Sequence, residues 1–214
     1  MSNIIHIANL LTTLRVVIVP FFICAVFGMS VFSKATALIL FGLAALSDYF
    51  DGYFARKHNR QSKFGEFLDP LADKLIVGGA FISFALLPDL LVPLWLIAII
   101  LSRELFVTRM RVAAIRKNRP ITTEVSGKVK TAVQMSTIIV ILVLLLLKRI
   151  LIAKEMSLML QRGPDVWVEL FGATAGLFLY CIPPVLTAVS ALLALVSMAQ
   201  YIGKNWAFLT RKKS

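Results

Sequence analysis

Uncharged apolar stretches alternate with short charged ones along the whole chain. Eighteen uncharged residues separate Arg15 from Lys34, 17 separate Lys130 from Lys148, and 34 separate Glu169 from Lys204. Each carries enough helix to cross a hydrocarbon core about 30 Å thick, which takes about 20 residues. Three weaker runs, Ala35 to Ser47, Leu75 to Pro88 and Leu90 to Ser102, hold 13 or 14 residues each. At about 1.5 Å per residue they stop short of the far side. They also lack the polar outer face that a helix of a soluble core needs. The pattern therefore predicts that each helix continues through its polar neighbours, 48–56, 69–74 and 103–111, where these face a cavity rather than lipid. The expected architecture is an all-α polytopic membrane protein of six transmembrane helices. A short amphipathic helix, "MSNIIHIANLL", precedes them along the interface.

Composition agrees. Of 214 residues, 59% are hydrophobic and 16% charged, and the mean hydropathy is +0.86, which excludes an ordinary soluble domain of this size. With no internal repeat or long linker, residues 1–214 read as a single membrane domain. Threading six spans from an inside N-terminus leaves Lys34, Lys148, Arg149, Lys154 and Arg162 outside and the other 18 of the 23 basic residues inside. That asymmetry obeys the positive-inside rule and places the polar ends of the three short helices on the cytoplasmic side. The net charge of +12 would suit nucleic acid, but it lies at membrane edges. Membrane lipids and phosphate-bearing substrates are the expected partners, and nucleic acid is not. Cys24 and Cys181 fall within apolar spans, so no disulfide is expected and each reads as a small packing residue. The outer segment Ala153 to Val168, with Gly163-Pro164 and mixed charge, predicts an irregular loop. Pro183-Pro184 predicts a kink in the last span.

The acidic residues are the unusual feature. Asp48 and Asp51 are three apart and Asp69 and Asp73 four apart, so each pair shares one face of a helix. Pro70 suits the first turn of a new helix with Asp69 as its cap. The polar turn "KHNRQSKFG" then makes the two spans a hairpin that gathers four carboxylates at one membrane edge. Clustered acids in a low dielectric repel one another unless a cation neutralises them. Oxygen ligands without Cys or His select Mg²⁺ or Mn²⁺ over zinc. Four carboxylates suit two ions, an arrangement fitted to phosphoryl transfer. Gly52 leaves room for a ligand beside Asp51, and Arg56 offers forked donors to a phosphate. A cation path through the membrane would spread acids over its depth, whereas these all lie at one edge.

The spacing Asp48-x2-Asp51-Gly52-x2-Ala55-Arg56-x8-Gly65-x3-Asp69-x3-Asp73 is similar, at eight positions within 26 residues, to the signature of the CDP-alcohol phosphotransferases. The resemblance implies a six-helix enzyme, usually a homodimer, that joins an alcohol to the phosphate of a CDP-linked donor and releases CMP. It implies Asp48, Asp51, Asp69 and Asp73 as metal ligands and Asp73 as general base. Asp51, Gly52, Arg56 and Thr12 would lie beside the donor's CDP. The segments "NLLTTLRVVIVPFF", "SRELFVTRMR" and "SGKVKTAVQM" resemble those of the members that make phosphatidylglycerophosphate. For those the donor is CDP-diacylglycerol and the acceptor sn-glycerol 3-phosphate. A phosphorylated acceptor needs further cations, and Arg103, Arg111, Lys128 and Lys130 stand at the cytoplasmic ends of the fourth and fifth spans. Lys128 and Lys130 are two apart, so only one is expected to face the site. Glu104 reads as a partner that orients arginines. Serine, inositol phosphate and phosphatidylglycerol are the alternative acceptors within the family. The expected location is a bacterial plasma membrane, with the site at the cytoplasmic face.

Overall fold

The computed structural model describes the backbone of residues 2–58, 63–116, 125–162 and 168–205, and side chains within 13–47, 74–110, 129–154 and 181–205 together with those of 112, 114 and 127. Six α-helices occupy the described residues: α1 (Ser2–Phe27), α2 (Val31–His58), α3 (Lys63–Leu86), α4 (Leu94–Arg116), α5 (Val125–Arg162) and α6 (Val168–Lys204). All three short apolar runs continue as helix through their polar neighbours, in α2, α3 and α4, as the hydropathy pattern requires. Two segments, Val129–Lys154 and Cys181–Lys204, are long and apolar enough by themselves to cross a membrane, and Thr13–Phe27, Val31–Ser47 and Lys74–Leu86 are shorter apolar helices.

Three local expectations change. The N-terminal lead-in is not a separate helix but the start of α1, because no glycine or proline interrupts the chain before Pro20. Helix α3 begins at Lys63, seven residues before Pro70. Asp69 is therefore inside the helix rather than at its cap, and the polar turn shrinks to residues 59–62 at most. A proline tolerated in a helix interior forfeits one backbone hydrogen bond to the preceding turn. The expected irregular loop at 153–168 is helical as far as Arg162. The stretch "AKEMSLMLQR" consists almost wholly of good helix formers, and the described helix runs to Arg162. Pro183 and Pro184 lie inside the continuous α6, where Thr187 Oγ1 donates to the Pro183 carbonyl at 2.8 Å.

The core forms where α1, α2 and α3 meet α4 and α5. Phe22 of α1 stacks obliquely on Phe41 of α2 with ring centroids 5.9 Å apart. Phe81 and Phe84 of α3 meet edge to face at 6.4 Å. Ile100 of α4 and Ile138, Ile141 and Leu142 of α5 complete this buried cluster. Large apolar side chains such as Phe21, Phe32, Leu94 and Trp95 are exposed on the outside of the bundle, the distribution expected when the surrounding solvent is itself apolar. Cys24 and Cys181 are free and also face outward.

One end of the bundle is tied by charge. The turn between α1 and α2 needs Gly28, since a Cβ there would stand 1.8 Å from Ser33 Oγ, which donates to the Ala25 carbonyl at 2.7 Å. Beside it the buried Lys34 donates to the Val26 carbonyl. Asp89, in a 3-10 turn (Pro88–Leu90) before α4, takes Lys148 Nζ at 3.1 Å and Arg149 at 3.7 Å from α5. The next residue, Leu91, holds left-handed backbone angles of φ 48° and ψ 29°. Three of the five basic residues read as outward-facing thus gather at this end.

Candidate functional site

Helices α2 and α3 pack together and are separated by four residues. A connection that short forces the end of α2 beside the start of α3 and makes the two antiparallel. Asp48 lies ten residues before His58 and Asp73 ten residues after Lys63, so these two positions stand at the same height. Asp51 and Asp69 lie about one turn nearer the connection. The backbone therefore brings all four aspartate positions to one end of the bundle, opposite the Asp89 end. The side chains of Asp48, Asp51, Gly52, Arg56, Asp69 and Asp73 lie outside the described residues, as do those of Thr12, Arg111 and Lys128. For a divalent metal, the oxygen-only donor set and the placement of the four positions within about one helical turn of each other fit Mg²⁺ or Mn²⁺. Among the described residues no other cluster of His, Cys, Asp or Glu would hold an ion.

The described part of the site begins one residue after Asp73. Lys74 Nζ donates to the backbone carbonyl of Glu104 at 3.4 Å, which puts that carboxylate position of α3 level with residue 104 of α4. Glu104 Oε1 in turn pairs with Lys130 of α5 and, at 3.5 Å, with Arg103 Nη1. Arg103 Nη2 donates to Ser197 Oγ of α6 at 2.7 Å. Four helices thus meet at one polar layer. Arg103 is 7% exposed and Lys130 3%. Two buried cations, Arg103 and Lys130, share the Glu104 carboxylate, with Lys74 alongside, so cationic groups are concentrated in this layer.

Of the predicted basic residues, Arg103 and Lys130 are brought together here. Lys130, near the start of α5, turns inward. Arg109 is exposed on the outside of α4. Glu104 does orient an arginine, as its position beside Arg103 suggested, and it also holds Lys130.

Sequence reasoning missed several contributors. Ser197 and the buried Tyr201 of α6 belong to a polar series, Thr187, Ser190, Ser197 and Tyr201, recurring on one helical face of an otherwise apolar span. Gln134 is buried one turn from Lys130. Arg15 of α1 is 1% exposed. Gly79 of α3 lies against Ile23 and Val19 of α1. Since α1 and α3 run parallel, eight residues back along both sets Arg15 level with Leu71, between Asp69 and Asp73. In sequence, a lone arginine ending an apolar run carries nothing that distinguishes it from an ordinary membrane anchor.

A family model described as CDP-alcohol phosphatidyltransferase matches residues 5–161. The chain belongs to this family. The match takes in the four aspartates, Arg103, Glu104, Lys130 and Gln134, and stops before α6. Among curated relatives, a probable phosphatidylglycerophosphate synthase of Mycobacterium tuberculosis is 42% identical over 136 residues, covering 62% of this chain and 64% of the relative. The chain thus matches just under two thirds of that protein's length. The CDP-diacylglycerol–glycerol-3-phosphate 3-phosphatidyltransferase of Escherichia coli K12 is 33% identical over 202 residues, covering 92% and 93% of the two chains. Its counterpart in Shigella flexneri is 32% identical over the same span. No solved structure matches. Enzymes of the CDP-alcohol phosphatidyltransferase family use divalent metal ions.

Proposed function

We propose that the chain transfers the phosphatidyl group of CDP-diacylglycerol to sn-glycerol 3-phosphate, giving phosphatidylglycerophosphate and CMP. The observation that carries this reading is the buried layer of Arg103, Glu104, Lys130 and Lys74 beside the aspartate positions. An acceptor that already bears a phosphate needs such cations, and serine or phosphatidylglycerol gives them less to do. The names of relatives aligned over nine-tenths of the chain support the same acceptor.

In this reading Asp48, Asp51, Asp69 and Asp73 hold two Mg²⁺ or Mn²⁺ ions, which when bound neutralise the diphosphate of the donor. Thr12, Asp51, Gly52 and Arg56 seat the CDP moiety. Arg103, Arg111, Lys128 and Lys130 receive the acceptor phosphate, with Glu104 holding Arg103 and Lys130 in place. Asp73 takes the proton from the primary hydroxyl of glycerol 3-phosphate. That oxygen forms a bond to the phosphorus bearing the diacylglycerol, and the bond from this phosphorus to the CMP oxygen breaks. Arg15 balances carboxylate charge from α1. The enzyme spans a bacterial plasma membrane six times, works at the cytoplasmic face and acts as a homodimer, as the family resemblance implies.

The test is release of CMP by the purified full chain from CDP-diacylglycerol, with glycerol 3-phosphate, serine, inositol phosphate or phosphatidylglycerol as acceptor and with or without Mg²⁺. Release that depends on Mg²⁺ and on glycerol 3-phosphate is expected. Turnover with another acceptor and none with glycerol 3-phosphate would overturn the assignment.

A further inference from the structure

Gln134 is 2% exposed, yet its amide nitrogen has no hydrogen-bond partner. Buried polar groups are almost always paired, and an orphan donor calls for an explanation. Its neighbours on α5 are well occupied. One turn towards the polar layer, Lys130 pairs with Glu104. On the other side, Thr137 shares a 3.0 Å hydrogen bond with Ser190 of α6.

These contacts set the register of α5 against α6. Thr137 is level with Ser190, so Lys130, seven residues back, is level with Ser197, the residue that takes Arg103. The α6 position at the height of Gln134 is Leu193, followed by the small and fully buried Ala194. No polar group on α6 therefore answers the amide at that height. The amide stands about 5.4 Å, one helical turn, deeper in the bundle than the cations.

We infer that Gln134 is a specificity-determining residue that reads the middle hydroxyl of the acceptor, the one that does not react. This rests on the acceptor assigned under Proposed function. Arg103 and Lys130 are suited to the phosphate, and the primary hydroxyl must reach Asp73 of α3. The hydroxyl between them is neutral and both donates and accepts. A carboxamide, likewise neutral with one donor and one acceptor group, matches it. A lysine or carboxylate there would add charge to an already charged layer. Seating that hydroxyl supplies the partner the buried amide lacks. An acceptor without it leaves the amide unpaired, which is how polar sites reject deoxy analogues.

The experiment compares glycerol 3-phosphate with 3-hydroxypropyl phosphate, which lacks only the middle hydroxyl, as acceptors for the full-length enzyme and its Gln134→Met and Gln134→Glu variants. Methionine preserves length and volume without hydrogen-bonding capacity, and glutamate preserves shape but not the donor. CMP release gives kcat/KM for each acceptor. Wild type is expected to prefer glycerol 3-phosphate by about 100-fold. The preference should fall to about 3-fold or less in Gln134→Met, with the KM for CDP-diacylglycerol unmoved. Gln134→Glu should lose it too, which serves as the test if the methionine variant does not yield folded protein. A preference retained in either folded variant, or absent from wild type, overturns the inference and leaves the acceptor assignment standing. A wild type that releases no CMP with glycerol 3-phosphate overturns both.

Discussion

Replacing Glu104 by glutamine keeps the side chain's shape and removes a carboxylate charge that Arg103 and Lys130 share. Both cations are nearly inaccessible, and Glu104 itself is 17% exposed at its side chain. Breaking a buried ion pair from one side costs about 3–5 kcal/mol, and the partial exposure of Glu104 places the expected loss near the lower end, about 3 kcal/mol. For a chain of this length 1 kcal/mol moves the midpoint by about 2–4 °C, so Glu104→Gln should melt about 6–12 °C below wild type in detergent micelles. The double variant Glu104→Gln/Lys130→Met also removes one of the two cations that lose this carboxylate and should recover about half of that loss. Glycerol 3-phosphate or inorganic phosphate, by supplying negative charge where the carboxylate was, should raise the single variant's midpoint more than that of wild type. A Glu104→Gln protein that melts within about 2 °C of wild type, or a double variant that melts lower still, would show that the Glu104 carboxylate does not hold these cations in the fold.

Asp73→Asn should lower kcat for CMP release by about 10²–10⁴-fold, the range a positioned general base contributes; activity within a few-fold of wild type would remove that role. At the opposite end Asp89→Asn should shift melting by no more than about 2 °C, because Asp89 is 40% exposed and its pairs with Lys148 and Arg149 are screened. The contrast with Glu104 is itself the test. Thr137→Val leaves Ser190 buried without its partner and should cost about 1–3 kcal/mol, whereas Thr137→Val/Ser190→Ala should cost less than the single change. Denaturation midpoints measured on the two variants decide it. Chelation with EDTA should abolish CMP release, and added Mg²⁺ or Mn²⁺ should restore it.

Much of the bundle could be read directly from hydropathy, because apolar length is a physical requirement of crossing lipid. The inference that the short runs of α2, α3 and α4 extend through polar residues rested on the same requirement. Local rules did less well where a longer-range preference opposed them. Pro70 looked like a helix start, yet the helix formers before it carry α3 back to Lys63. The 153–162 segment looked like a loop from its charge, although its residues favour helix. The aspartate constellation was legible because i, i+3 and i+4 spacings are local. The cationic layer was only half legible. Nothing in "SGKVKT" says that Lys130 turns inward; that is decided by Glu104 on another helix. Ser197, Tyr201, Gln134 and Arg15 matter through cross-bundle register, a property no single stretch contains.

The left-handed backbone at Leu91 has a consequence for how the protein tolerates purification. A leucine in that conformation costs about 1–2 kcal/mol relative to glycine, and its side chain is 62% exposed next to the exposed Leu94 and Trp95. In water that exposure would bring no return, whereas on the six-span reading proposed above acyl chains around the turn would offset the strain by solvating the leucine. On that reading the hairpin between α3 and α4 is fastened from outside, by the bilayer itself. Delipidation should loosen this corner first, seen as faster amide exchange near residues 88–93 in micelles than in nanodiscs. Leu91→Gly, which relieves the strain and removes the apolar side chain together, should shrink that difference; an unchanged difference would show that lipid does not fasten the turn.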